Sequence, residues 1–120
     1  MKVLLCLMIY AISLSAQASG GFTKVGNVST TAFTDPACPN QSTCYYQVTA
    51  LDSAGFESAP AACSSTQLCV GGNIAVATMP SSGTHTVTLA WTASGTAGVT
   101  YNIYRHIGPL PAGGLGATVN

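Results

Sequence analysis

Two segments in the second half of the chain alternate apolar and polar residues with a period of two. They are Thr84–Thr92 and Val99–Arg105, and the turn-forming run Ala93–Gly98 separates them. Successive side chains of a β-strand point to opposite faces, so this period predicts two strands that each bury one face. The apolar members, which we expect to face a core, are Val87, Leu89, Trp91, Val99, Tyr101 and Ile103.

A third segment of the same kind, Cys44–Leu51, lies in the first half and has Tyr46 and Val48 on its apolar face. Asp52–Gly55 follows as a turn, in which we expect the aspartate side chain to accept hydrogen bonds from backbone N–H groups. A short strand over Phe56–Ala61 would complete a hairpin.

Shorter strand candidates are Phe22–Val25, Thr31–Thr34 and Ile74–Thr78. Pro80 follows the last of these, and proline suits an edge strand or the end of a strand. Beyond the N-terminal apolar run no segment has helical periodicity. Many short strands with turn signals between them predict an all-β fold, an antiparallel sandwich.

The N-terminus has the three parts of an export signal. Lys2 precedes the apolar run Val3–Leu14, and the small-residue pattern AQA of a cleavage site follows at residues 16–18. We predict a signal peptide over residues 1–18 and a secreted or periplasmic location. The alternative is an uncleaved membrane anchor, although the run is shorter than the about 20 residues that cross a bilayer. Because no later stretch is long and apolar enough, we expect no stable membrane span.

Four cysteines follow the predicted signal. They are Cys38, Cys44, Cys63 and Cys69. An even number of cysteines in a small exported domain predicts two disulfides. Each neighbouring pair has five intervening residues, which is longer than the usual spacing of zinc ligands, and no histidine lies near either pair. We therefore expect no metal site.

Charge and motifs argue against several functions. The chain has 3 basic and 3 acidic residues, so it lacks the basic patch of a nucleic-acid binder. It has no nucleophile–base pair, phosphate-binding glycine loop or zinc-protease motif. We expect neither enzymatic activity nor a cofactor. His85 and His106 are expected to be solvated residues in loops that flank the two strands of the second half.

Two runs of the chain resemble the fibronectin type III domains of bacteria and phages. TCYYQVTALDSAGFESAP at Thr43–Pro60 is similar to the last two strands of that family, F and G. THTVTLAWTASGTAGVTYNIYR at Thr84–Arg105 is similar to its strands B and C. The resemblance makes Trp91 the tryptophan of strand B and Tyr101 the tyrosine of strand C. It implies an immunoglobulin-like sandwich, a fold that supports many unrelated functions.

The two halves occur in reversed order relative to the family. Residues 19–63 correspond to strands C′-E-F-G, residues 64–74 are a linker, and residues 75–120 correspond to A-B-C-C′. The C′ region is present twice, because Ser19–Asn27 resembles Ala112–Asn120. Four arrangements stay open: one chain that folds as a circular permutant, two chains that exchange halves, a serially completed fibre, and a fragment of a tandem array.

The resemblance also bears on the disulfides. It places Cys44 where the family has a tyrosine that fastens the corner between strands E and F. A Cys38–Cys44 bond would fasten the same loop and leave Cys63–Cys69 as the second bond, which is the pairing we prefer. The alternative pairs Cys44 with Cys63 across the predicted hairpin, and Cys38 with Cys69.

The leading functional hypothesis is a non-catalytic structural, adhesion or virion-surface binding module. The last location applies if the chain is phage-encoded. The alternative is an accessory carbohydrate-binding module of a secreted hydrolase system, with Tyr45, Phe56 and Tyr104 as surface contacts. The expected partner is an unknown protein or glycan surface, and self-association by strand exchange is a further expectation.

Overall fold

The computed structural model describes residues 21–63 and 69–109, and for residues 2–8 it describes the backbone. These residues form nine strands and no helix. The strands are β1 (Lys2–Met8), β2 (Thr23–Val28), β3 (Ala32–Asp35), β4 (Thr43–Leu51), β5 (Ala62–Cys63), β6 (Cys69–Val70), β7 (Ile74–Thr78), β8 (Thr86–Thr92) and β9 (Thr100–Ile107).

The strands form two sheets of a β-sandwich. One sheet has the order β3-β8-β1-β5, and the other has the order β2-β9-β4-β7-β6. Neighbouring strands are antiparallel, with the exception of β1 and β8, which run parallel. The predicted all-β, antiparallel sandwich is confirmed.

The core lies between the sheets, where the period of two in β4, β8 and β9 places the apolar side chains. The six side chains proposed as core markers are all buried: Tyr46, Val48, Leu89, Trp91, Tyr101 and Ile103. The indole of Trp91 from one sheet meets the ring of Tyr101 from the other edge to face, with ring centroids 5.4 Å apart. Offset and edge-on aromatic pairs of this kind are favourable beyond the apolar area they bury.

The two halves of the chain meet in both sheets. β4 of the first half pairs with β9 of the second, from Cys44 opposite Ile107 to Leu51 opposite Thr100. β3 of the first half pairs with β8 of the second. Each half therefore supplies strands that the other half lacks, and a single chain closes the sandwich.

The predicted hairpin after β4 is only partly formed, so the strand expected over Phe56–Ala61 is wrong. Leu51 and Glu57 form an isolated bridge, and the amides of Ser58 and Ala61 donate to the carbonyls of Ala50 and Val48. Regular pairing fails because the Ser58 hydroxyl accepts the hydrogen bond of the Ala50 amide and because Pro60 has no N–H to donate.

The remaining part of that edge of β4 is covered by β7. Thr43 lies opposite Thr78 and Tyr46 lies opposite Ala75. The resemblance had made Ile74–Thr78 the first strand of the second half, yet it pairs with a strand of the first half. The predicted linker 64–74 contains β6, which pairs with β7 through the turn at residues 71–73. Five residues of that linker, 64–68, lie outside the described part of the chain.

The N-terminal segment forms a strand that the sequence analysis did not predict. β1 lies between β8 and β5, with Lys2 opposite Thr86 and Met8 opposite Thr92. The predicted cleavage motif at residues 16–18 and the second C′ motif, Ala112–Asn120, lie outside the described residues. The signal peptide therefore stays a prediction.

Both disulfides join neighbouring cysteines along the chain. Cys38 is bonded to Cys44, and Cys63 is bonded to Cys69. The preferred local pairing is confirmed. Because β5 and β6 belong to different sheets, the Cys63–Cys69 bond links the two sheets at one edge of the sandwich.

An added methyl group at Gly26 has little room. A Cβ there would lie 2.5 Å from Cε1 of Phe33, whose ring packs against the core. We expect Gly26→Ala to lower the free energy of unfolding by about 1–3 kcal/mol, the usual cost of overpacking. Gly95→Ala is the matched control, since a Cβ at Gly95 meets no atom within 4 Å. Urea denaturation of both variants measures the difference, and equal stabilities would contradict the expected clash.

Candidate functional site

The outward face of the five-stranded sheet carries a cluster of polar side chains. We call it the polar face cluster, and its members are Asn27, Thr49, Glu57, Asn102 and Tyr104. β2, β4 and β9 supply four of these residues by strand alternation, since their neighbours Val48, Tyr101 and Ile103 point into the core. The fifth, Glu57, follows the turn after β4 and is held there by its bridge to Leu51.

Hydrogen bonds converge on one carboxylate oxygen in this cluster. Oε2 of Glu57 accepts from the hydroxyl of Thr49, from Nδ2 of Asn102 at 3.0 Å and from the hydroxyl of Tyr104 at 2.5 Å. Nδ2 of Asn27 extends the network by donating to Oδ1 of Asn102 at 2.8 Å. The cluster thereby ties β2, β9 and β4 together on the side of the sheet that faces away from the core.

Tyr104 acts in this cluster as a hydrogen-bond donor. Burial, followed by its hydrogen bond to Glu57, raises the pKa of Tyr104 to about 12. The hydroxyl therefore keeps its proton at neutral pH and donates to the carboxylate. Thr49 and Asn102 are buried although they lie on the outward face, because the cluster covers them.

A shallow depression lies at one end of the same sheet. It has a volume of about 300 Å³, and we call it the end depression. Its lining residues are Gln41, Ser42, Thr43, Tyr45, Gly108 and Pro109. The lining thus offers one amide, two hydroxyls and one aromatic ring, with no ionisable acid or base other than the phenol.

His106 lies beside the end depression and not in a loop, because it belongs to β9. Its Nδ1 is 2.9 Å from the carbonyl oxygen of Gly21, and its Nε2 is 3.0 Å from that of Pro109. The ring also lies near Phe22 and Tyr45, with centroids 5.8 and 6.3 Å away. His106 therefore contacts the tyrosine ring from one side and lies within hydrogen-bond distance of the backbone before β2 and after β9.

The three aromatic residues proposed as surface contacts lie in different settings. Tyr45 lines the end depression, whereas Tyr104 belongs to the polar face cluster. Phe56 is 45% exposed in the turn after β4. Oδ1 of Asp52 accepts from the amides of Ala54 and Phe56 at 2.9 Å each, which confirms the predicted role of this aspartate in the turn. The structure thus brings Tyr45 and Tyr104 to one face but leaves Phe56 apart.

A buried ion pair lies on the inward side of the same sheet. Nη1 of Arg105 donates to both carboxylate oxygens of Asp35 at 3.0 and 2.9 Å. The hydroxyl of Tyr46 donates to Oδ2 at 2.6 Å, and the amide of Ala37 donates to Oδ1 at 2.9 Å. Asp35 is 3% exposed and the Arg105 side chain is 18% exposed. The three side chains join β3, β4 and β9.

The pKa values in this group follow from its contacts. Burial alone would raise the pKa of Asp35, but the hydrogen bonds from Tyr46, Arg105 and Ala37 outweigh it and hold the pKa below 3.8. Burial and the neighbouring carboxylate raise the pKa of Tyr46 well above 10.0. Asp35 is therefore ionised and Tyr46 protonated at neutral pH, which is the state in which each hydrogen bond forms.

This ion pair was not predicted from the sequence, and the family resemblance had placed Cys44 at the corner. In the structure Tyr46 connects β4 to Asp35, and Cys44 forms the disulfide to Cys38 just upstream. A signal was present, because Arg105 occupies the same side of its strand as Tyr101 and Ile103. A cation at a core-facing position calls for a carboxylate partner.

The carboxylates and histidines of the described sandwich are engaged in bonds within the chain, whereas Lys24 on β2 is exposed. Asp35, Asp52 and Glu57 accept the hydrogen bonds given above, and Nε2 of His85 lies 2.5 Å from the carbonyl oxygen of Ser82. Among the described residues no group of three or more histidine, cysteine or carboxylate side chains is arranged to hold a metal ion. The same residues contain no helix that is long and apolar enough to cross a membrane.

Comparison with protein-family models, with curated proteins and with solved structures finds no match. The two disulfides favour an oxidising, extracellular setting, since such bonds persist there and are rare in the cytosol.

Proposed function

We propose that this chain is an exported binding and structural module of the fibronectin type III type, which acts by surface contact on an adhesive surface or a virion. One observation carries the proposal: the three carboxylates and both histidines of the described sandwich are bonded within the chain. The accessible groups that remain on the sheet face are hydroxyls, amides, aromatic rings and the ammonium of Lys24. Such a surface suits recognition better than acid–base chemistry.

Support for the family comes from the residues that carry the resemblance. Trp91 and Tyr101 occupy facing positions in the core, as expected for the strands B and C that the resemblance assigns to β8 and β9. Support for export comes from the tripartite N-terminus and the two disulfides. The two halves pair within one chain, through β4 with β9 and β3 with β8. Of the four arrangements considered, this pairing favours the circular permutant.

The test is expression of the full chain with its own N-terminus in a bacterial host, followed by intact mass and solution mass of the exported product. We expect a chain that begins at residue 19, carries two disulfides and is a monomer. Recovery of the intact chain in the cytosol or membrane would overturn the export proposal. A dimer or a ladder of sizes would replace the permutant with exchange of halves between chains.

The end depression favours a second candidate, binding of a neutral glycan. Its amide, hydroxyls and half-buried ring are groups that stack on and hydrogen-bond to sugars, and the site requires no ionised side chain. We expect Tyr45→Ala to weaken glycan-array binding by about tenfold or more, the loss typical of an aromatic at the centre of a binding site. Phe56→Ala is the matched control, because this ring is exposed but lies outside the depression. Equal losses in both variants would exclude the depression as the site.

A further inference from the structure

β1 lies between β8 and β5, two strands that do not pair with each other in the sheet. Residues 2–8 pair with β8 along its whole length, while Leu7 and Met8 pair with Cys63 and Ala62 of β5. The same residues lie within the predicted signal peptide, so cleavage would remove the strand that joins these two neighbours.

β8 and β5, the two walls of the gap that β1 would leave, are held by bonds that do not involve β1. β8 pairs with β3 from Ala32 opposite Ala90 to Asp35 opposite Val87. β5 is fastened by the Cys63–Cys69 disulfide to the other sheet, and the amide of Cys63 donates to the carbonyl of Gly72 at 2.8 Å. Both walls are therefore anchored by bonds that do not depend on β1, and we expect a gap one strand wide when β1 leaves.

We propose that removal of the signal peptide opens a slot between β8 and β5 that binds one extended, apolar segment of another polypeptide. This inference rests on the proposed export. In the precursor the signal segment itself occupies the slot. In the exported protein the β8 edge, Thr86–Thr92, is uncharged and free of proline, and such an edge is a ready template for strand addition.

The occupant seen in the structure defines the chemistry of the partner. It is seven residues long, is apolar apart from Lys2, and runs parallel to β8 and antiparallel to β5. The occupant pairs with β8 along all seven residues and with β5 at Leu7 and Met8. We therefore expect the partner to lack proline, which disfavours pairing within a sheet.

The occupant is expected to come from another chain. The other described strands already have partners in one of the two sheets. The C-terminal sequence of this chain, LPAGGLGATVN, is rich in glycine and contains proline, a composition that disfavours strands. A partner with an apolar extended segment satisfies the slot without dismantling the sandwich.

The experiment uses the full chain refolded in vitro, so that residues 1–18 are retained, and oxidising conditions allow the two disulfides to form. A site-specific protease sequence is placed between residues 9 and 18. After cutting, a fluorescent peptide with the sequence of Lys2–Met8, carrying Cys6→Ser, is added and its binding is measured by anisotropy. The control peptide carries Leu5→Pro in addition. Trp91, the only tryptophan of the chain, lies opposite Leu7 and reports occupancy of the slot by its emission.

We expect the labelled peptide to replace the cut segment with one site per protein and to shift the Trp91 emission. The proline peptide should bind at least about tenfold more weakly, a difference of about 1.4 kcal/mol, because proline removes a backbone hydrogen bond and is incompatible with a paired strand. Three results would each overturn the proposed slot. They are equal binding of both peptides, no binding to a protein that keeps its β-sheet circular dichroism, and unfolding after the cut segment is washed away. Failure of export is detected separately, because it leaves residues 1–18 on the protein made in cells while binding to the refolded chain is unaffected.

Discussion

Asp35→Ala is expected to lower the free energy of unfolding by about 3 kcal/mol or more at neutral pH. The variant leaves the guanidinium of Arg105, which is 18% exposed, without its carboxylate. It also leaves the hydroxyl of Tyr46 and the amide of Ala37 without their acceptor. Loss of one partner of a buried pair is costly because the remaining charge stays in a poorly solvated place. Urea denaturation of both proteins at neutral pH measures the difference.

The same pair predicts a pH dependence. The pKa of Asp35 lies below 3.8 in the folded chain, so its ionised form favours folding. The contribution is fully present above the unfolded-state pKa, near 3.8, and is lost as the pH falls through the lower, folded-state pKa. We therefore expect the stability gap between the parent chain and Asp35→Ala to narrow as the pH falls from about 4 towards about 2.

Asp52→Ala is the matched control for this prediction. Asp52 also accepts backbone hydrogen bonds, from Ala54 and Phe56, but it lies in a turn and has no ion-pair partner in the described sandwich. Its replacement should cost about 1 kcal/mol, the usual value for such a cap. Equal costs for the two aspartates would show that the Asp35–Arg105 pair contributes no more than an exposed hydrogen bond.

Removal of the Cys38–Cys44 disulfide by double replacement with alanine is expected to cost about 3–5 kcal/mol. The bond closes a loop with a sequence separation of 6, and for a loop of this size restriction of the unfolded chain accounts for about 2–3 kcal/mol. The rest comes from burial, because Cys38 and Cys44 belong to the core. Thermal unfolding of the variant and the parent chain measures the loss.

The Cys63–Cys69 bond supplies the comparison. Its sequence separation is also 6, so the effect on the unfolded chain is the same. Its two cysteines are only half-buried at the edge of the sandwich, so we expect a cost of about 2–3 kcal/mol for the corresponding alanine pair. A larger cost for Cys63–Cys69 than for Cys38–Cys44 would contradict the part assigned to burial.

The local patterns in the sequence were sufficient for the strands that carry the core. β4, β8 and β9 have apolar residues at alternate positions, apart from Arg105 in β9, and successive side chains of a strand point to opposite faces. The turn at Asp52 was also predictable from a local pattern, because its hydrogen bonds join residues only two and four positions apart. The four cysteines indicated two disulfides because an even set in a small exported chain rarely has another use.

The neighbours of each strand depended on contacts that the sequence does not state. β7 is a short apolar segment that could lie beside either half, and it pairs with β4 because the turn after β4 covers only the far part of that edge. The bonds of Asn102 and Tyr104 to Glu57 and the Asp35–Arg105 pair join residues more than 40 positions apart, so no local pattern contains them. Their geometry exists only once β9 lies beside β4.

The N-terminus shows the difference most clearly. Its apolar run favours removal from water, which fits both an export signal and a strand within a sheet. The tertiary structure decided where it lies, because the pairing of β8 with β3 leaves one edge open and the Cys63–Cys69 bond holds β5 one strand away. Apolar character alone is non-directional, whereas strand pairing requires a free edge with matching hydrogen bonds.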